Sequence, residues 1–225
     1  MMSIVIRGED MYKYVFFDLD GTLTDSGTGI INSAIYALGK FGITIKDRKE
    51  LFPFIGPPLN ESFRDLFHIP EEQIPLAIKY YREDYNVKGI YENEVYEGVE
   101  ELLEELFKKG IKIVLATSKP ENLAKIVLDH FNLTKYFTFI SGAVKDVRIT
   151  KQEVIKHALD ANSIKDVSEV IMVGDRKYDV IGARENNIKS IVVLYGGYST
   201  MEEFVGNEPD YFVEKPLNIL DLVLD

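Results

Sequence analysis

Tyr14-Val15-Phe16-Phe17-Asp18-Leu19-Asp20-Gly21-Thr22-Leu23-Thr24-Asp25 is the stretch on which the fold turns. Four apolar residues of β type run without alternation, as in a strand buried on both faces of a parallel sheet. The run then breaks into two acids one residue apart. Gly21 allows a sharp exit from the strand. Two carboxylates this close repel each other, and a bound cation relieves the repulsion.

The same pattern repeats outward along the chain. Apolar runs at 111–116, 137–140, 170–173 and 190–194 end in Thr117-Ser118, Ser141-Gly142, Gly174-Asp175 and Gly196-Gly197. Helical periodicity fills the gaps at 99–109, 120–131, 151–161 and 178–187. Alternating β and α with short connections predicts a doubly wound, Rossmann-like α/β fold with a parallel sheet. Residues 27–91 break the rhythm. Amphipathic patterns at 28–41, 58–68 and 71–86 are separated by proline-bearing turns and contain no convincing strand. They predict a small all-helical domain inserted after the first strand, with a core built from 11–26 and 92–225. Residues 1–10 read as an appendage. They are either a translated leader, with Met11 as an alternative start, or an extra edge strand at 4–6.

In a parallel sheet the carboxyl ends of the strands face one crevice. Asp18, Asp20, Thr117, Ser118 and Asp175 therefore converge, with Lys151 at the start of a following helix. A carboxylate can attack phosphorus, and a second can move the proton of the leaving oxygen or of water. Hydroxyl and backbone N–H groups bind phosphoryl oxygens, and a lysine supplies a point charge. Oxygen ligands suit Mg²⁺.

Composition narrows the chemistry further. The 225 residues carry 26 Lys+Arg against 37 Asp+Glu, a net charge of −11, and no cysteine. Thiolate catalysis, disulfides and cysteine-ligated metals are excluded. The acid excess argues against nucleic acid or an anionic membrane as the main partner. With no signal peptide and no run of about 18–20 apolar residues, the chain reads as a cytoplasmic protein. A Ser–His–Asp hydrolase would need Gly-x-Ser-x-Gly, which the sequence lacks. His68, His130 and His157 read as surface or capping residues.

Taken together, these motifs resemble the haloacid dehalogenase superfamily of phosphatases. Asp18-Leu19-Asp20-Gly21-Thr22-Leu23-Thr24-Asp25 matches its first motif and Thr117 its second. Lys151 matches the third, and Gly174-Asp175-Arg176-Lys177-Tyr178-Asp179 the fourth. The likeness runs from residue 12 to about 214. It implies that Asp18 is the nucleophile and that Asp20 is the general acid/base. It implies that Asp18, Asp175 and the backbone carbonyl of Asp20 hold Mg²⁺, with Asp179 as a further acid. It implies that Thr117, Ser118 and Lys151 hold the phosphoryl group, and that the helical insert is a cap selecting the substrate. Lys145 competes with Lys151, which is preferred because a helix pattern starts there. Arg148 approaches the substrate or pairs on the surface.

Within the insert, Gly56 and Pro57 belong to a loop resembling the family's cap loop, which could equally be a rigid turn. Arg64 binds a second anionic group or is a surface residue. Tyr80, Tyr81 and Tyr85 are read as packing, with a substrate-facing ring as the alternative. The implied activity is Mg²⁺-dependent hydrolysis of a small phosphorylated metabolite by a monomer or weak homodimer, closest to the phosphoglycolate phosphatase-like branch. Sugar phosphates, 5′-nucleotides and pyrophosphate are alternative substrates. Dehalogenase, phosphomutase, phospho-accepting signalling and binding roles are the rivals. Asp20 argues against the dehalogenase, and chain length against the signalling domain.

Overall fold

The computed structural model describes residues 12–224. The appendage at 1–10 and the start at Met11 lie outside the described residues. The elements run in the order β1 (Tyr14–Phe17), β2 (Thr24–Asp25), α1 (Gly27–Lys40), α2 (Leu59–Phe67), α3 (Ile74–Tyr85), β3 (Glu94–Val95) and α4 (Val99–Lys108). Then come β4 (Lys112–Pro120), α5 (Glu121–His130), β5 (Phe137–Ala143), α6 (Lys151–Ala161), β6 (Val170–Gly174), α7 (Lys177–Glu185), β7 (Lys189–Val193), β8 (Tyr211–Val213) and α8 (Asn218–Leu224).

Six strands form one sheet in the order β5-β4-β1-β6-β7-β8, with every pairing parallel. β1 lies at its middle, and its four residues are apolar because both faces are covered. Val15 and Phe17 join one buried cluster with Leu115 and Val173, whereas Phe16 joins the other with Val114 and Met172. This is the period-two alternation of a strand between two layers of helices. From β1 the sheet grows first through β4 and β5 on one side, then through β6 to β8 on the other. The reversal opens a crevice beyond the carboxyl ends of β4, β1 and β6.

Between Gly27 and Tyr91 the elements are all helical. α1 packs on α3, and the aromatic rings of Phe54, Phe63, Phe67, Tyr81 and Tyr85 fill the space between the pieces. A 3₁₀ segment at Arg48–Phe54 is capped by Asp47 with Glu50, and Pro53 lies inside it. Where the insert joins the sheet, β2 and β3 pair as a two-stranded antiparallel ribbon. Among the described residues, no helix is long and apolar enough to cross a membrane.

Candidate active site

The register of the sheet sets the site. Phe17 pairs with Leu115 of β4 and with Val173 of β6, so Asp18 leaves β1 level with Ala116 and Gly174. The Asp18 N–H donates to the Val173 carbonyl at 2.9 Å, which extends the ladder by one residue. Carboxylate oxygens of Asp18, Asp175 and Asp179 lie within 4.8 Å of one another, and all three residues are buried. Asp179 belongs to the first turn of α7, which follows β6 directly and turns the side chain back into the crevice.

Lys151 answers part of this charge. It is the first residue of α6, fixed by a reciprocal cap between Thr150 and Glu153. Its buried Nζ lies 2.9 Å from Asp18 Oδ1 and 2.8 Å from Asp179 Oδ1, and donates to the Ala116 carbonyl at 3.0 Å. The Asp179 contact is close but lies off the hydrogen-bond axis. Burial works against the ammonium, but Asp179 and Asp18 outweigh it and raise the lysine above its ordinary value. Asp175 has no such partner. Its Oδ2 is buried without a hydrogen bond, and Oδ1 meets only a long 3.4 Å contact from Thr22. Burial, then Asp179 and Asp18, push its carboxyl well above the usual range. Burial chiefly raises Asp179 as well.

This donor set fits Mg²⁺ on its own chemistry. Hard carboxylate oxygens converge, one is unpartnered, and the single neighbouring lysine leaves the cluster anionic. Asp18, Asp175 and Asp179 would hold the ion. The Asp20 side chain is not in that cluster.

Asp20 is held instead by Lys119, whose Nζ lies 3.0 Å from both carboxylate oxygens. Lys119 also donates to the Tyr85 hydroxyl of α3. Its side chain is only 4% exposed. Burial opposes its charge, but Asp20 and then Tyr85 hold it above the ordinary lysine value. Sequence reasoning passed over this lysine. The available signal was strand alternation, because Thr117 and Lys119 both lie in β4 two residues apart. Thr117 is buried, and its Oγ1 accepts the Lys119 N–H at 3.2 Å. Ser118, the intervening residue, is half-buried.

Gly56 comes close to the core. Its φ is +101°, and a Cβ there would lie 2.9 Å from the Arg176 side chain. Arg176 donates to the Ile55 carbonyl and pairs with Glu203 at 3.0 Å. This arginine, also missed from sequence, ties the Gly56-Pro57 loop to the residue after Asp175. Arg64 is exposed on α2 and pairs with its neighbour Asp65 at 2.7 Å. Lys145 is exposed. Arg148 is buried; it donates to the Gly142 carbonyl at 2.8 Å and pairs with Glu121 at 2.6 Å. Of the three tyrosines, Tyr81 and Tyr85 stack in the interior. His68 caps α2, His130 ends α5, and His157 meets the Ser141 hydroxyl at 3.0 Å.

Comparison with known proteins gives the family. The profile of the haloacid dehalogenase-like hydrolase family matches residues 15–193, and the chain belongs to that family. It is 38% identical to a 5′-nucleotidase of Pseudomonas aeruginosa over 202 residues, 89% of this chain and 90% of that one. It is 33% identical to the pyrophosphatase PpaX of Halalkalibacterium halodurans over 218 residues, 93% and 95% of the two chains. The crystal structure of a predicted phosphatase from Clostridium acetobutylicum superposes with a TM-score of 0.90 at 44% identity, covering 95% and 99%. The protein is an enzyme of the haloacid dehalogenase-like phosphatase class.

Proposed function

We propose that the protein is a Mg²⁺-dependent phosphomonoester hydrolase that works through an aspartyl-phosphate on Asp18. The observation that carries this reading is the buried convergence of Asp18, Asp175 and Asp179 on Lys151 at the carboxyl edge of the sheet. An Asp18 oxygen attacks phosphorus while the bond to the leaving oxygen breaks, and Asp20 gives that oxygen a proton. Asp20 then takes a proton from water, whose oxygen attacks the acyl phosphate and frees Asp18 and inorganic phosphate. Thr117, Ser118 and Lys151 hold the phosphoryl oxygens. When bound, Mg²⁺ supplies charge neutralisation that lets an anionic nucleophile approach an anionic phosphoryl group.

In this reading residues 27–91 are the cap domain over a core of 11–26 and 92–225, and Gly56 and Pro57 form its substrate loop. The substrate is a small phosphorylated metabolite in the cytoplasm, with phosphoglycolate among the candidates, and the enzyme is a monomer or weak homodimer. Similarity to the Pseudomonas 5′-nucleotidase supports a second reading in which 5′-nucleotides are the substrates.

Phosphate release from a panel of small phosphoesters, with Mg²⁺ and with chelator, tests the proposal. We expect turnover that needs the metal and that Asp18→Asn abolishes. Full activity in Asp18→Asn would remove Asp18 as nucleophile.

A further inference from the structure

Lys119 is a second buried ammonium in the crevice, distinct from the phosphoryl-holding Lys151, and it lies on the side of the acid/base. Its place is tightly fixed. Two of its contacts go to the two Asp20 oxygens at 3.0 Å each, and another goes to the Tyr85 hydroxyl. The Tyr85 ring lies 4.8 Å from Nζ. That ring in turn stacks on Tyr81 at 5.2 Å and 17°, and Tyr81 packs on Phe54 at 6.0 Å. Tyr85 is 3% exposed and Tyr81 5%. The lysine therefore cannot swing into solvent without breaking an aromatic wall.

A geometric constraint on substrates follows. An ammonium has three protons, and all three are engaged. Both Asp20 oxygens are engaged by the same group. Each Asp20 oxygen keeps a further lone pair, so a leaving oxygen can reach Asp20 beside Lys119. It then shares the acceptor that holds the ammonium, and weakening the hold on a buried cation is an unfavourable exchange. A substrate that brings its own anionic oxygen to Lys119 makes the exchange even. That oxygen must lie within about 3 Å of Nζ while the leaving oxygen is on Asp20. It therefore belongs to a group only a few bonds from the scissile bond, in a compact leaving group.

Resting on the phosphatase reading above, we propose that Lys119 is a specificity-determining residue. It selects phosphoesters or phosphoanhydrides whose leaving group carries a second anionic oxygen beside the scissile bond, and Tyr85 is its positioning residue. A phosphoryl group or a carboxylate meets this requirement. The ribose of a nucleoside monophosphate does not.

The test compares kcat and KM on inorganic pyrophosphate, 2-phosphoglycolate, AMP and p-nitrophenyl phosphate. The enzymes are wild type, Lys119→Met, Lys119→Arg and Tyr85→Phe, each checked for native circular dichroism. We expect wild type to prefer pyrophosphate or 2-phosphoglycolate over p-nitrophenyl phosphate at least tenfold in kcat/KM. Lys119→Met lowers that ratio at least tenfold, mainly through KM. Lys119→Arg recovers part of it, and Tyr85→Phe lowers it severalfold, again in KM. Whichever anionic substrate loses more identifies the group, phosphoryl or carboxylate. A ratio unchanged by Lys119→Met, or a wild type that prefers AMP, overturns the inference. If Lys119→Met does not fold, the ratios in Lys119→Arg and Tyr85→Phe decide by the same rule. Activity lost in Asp18→Asn but with an unchanged ratio removes this inference alone. Absence of phosphate release by wild type removes the phosphatase reading with it.

Discussion

Single atoms set tolerances at the crevice. A Cβ on Gly174 would lie 2.1 Å from the Asp179 carboxyl carbon, and one on Gly21 would lie 2.2 Å from Asp175 Oδ2. Gly21 also sits at φ +80°, where a side chain is strained whatever the space. Neither acid can retreat, since both are buried. We expect Gly174→Ala to cost about 1–3 kcal/mol in urea denaturation. Gly21→Ala should lower kcat by about 100-fold, since a shift near 1 Å in a reacting group has that effect. Wild-type turnover in Gly21→Ala would show that the acids do not need this spacing.

Away from the crevice, His157 gives a pH signature. The Ser141 hydroxyl donates to the Val154 carbonyl at 2.9 Å, so the His157 Nδ1–H donates to the Ser141 oxygen. Burial and the Arg148 charge lower the imidazole pKa in the folded chain. The unfolded chain therefore binds more protons around the ordinary imidazole value of about 6.5, and stability falls as pH falls through that range. Urea midpoints at pH 8 and pH 5.5 should differ less in His157→Gln than in wild type. An equal difference would mean that other groups carry the dependence.

Elements were legible to different degrees, for physical reasons. β1, β4, β6 and β7 stand out in the sequence because their buried stretches are apolar and end in polar residues, and the half-buried edge strand β5 stands out through Phe137, Phe139 and Ile140 before Ser141-Gly142. β8 was missed because Tyr211–Val213 is three residues long, and its Phe212 is partly exposed at the sheet edge. The β2–β3 ribbon has two residues per strand, too few for any period. The 3₁₀ segment at Arg48–Phe54 was hidden by Pro53, although its Asp47-x-x-Glu50 cap was readable. Asp18, Asp20 and Asp175 are visible as acids that follow apolar runs, and Asp179 through the family's fourth motif, whereas the partners of Asp20 and of the Gly56 loop are not visible in this way. Lys119 acquires its contact with Asp20 across 99 residues, and Arg176 its contact with Ile55 across 121. Only the fold brings these pairs together. The Arg176 contact makes a prediction at this scale. Arg176→Ala frees the Ile55–Gly56 turn and leaves Glu203 with the Lys177 N–H but without its charged partner, so we expect a rise in KM of about tenfold, a loss near 1.4 kcal/mol of substrate binding. Unchanged KM would mean that the insert is held by its other contacts.

Over the whole molecule, the charge of −11 is least well tolerated where three carboxylates meet in the interior. The folded chain without metal bears this repulsion, and the unfolded chain escapes it. A dication that binds only the folded crevice should therefore stabilise the entire chain by mass action. At free Mg²⁺ of 100 times its dissociation constant the gain is about 2.7 kcal/mol. For a chain of this size that corresponds to a rise in Tm of roughly 5–10 °C. Asp175→Asn distinguishes site binding from a general salt effect. Asp175 Oδ2 has no hydrogen-bond partner, and the residue is pressed by Asp179 and Asp18. Removing its charge should raise the Tm of the metal-free protein and, in the same experiment, abolish most of the Mg²⁺ shift. A variant that is less stable without metal, or that keeps the full Mg²⁺ response, would place the ion elsewhere. The opposite signs expected in the two conditions separate a cation site from an acidic cluster that serves only the fold, because a purely structural Asp175 would lose stability in both.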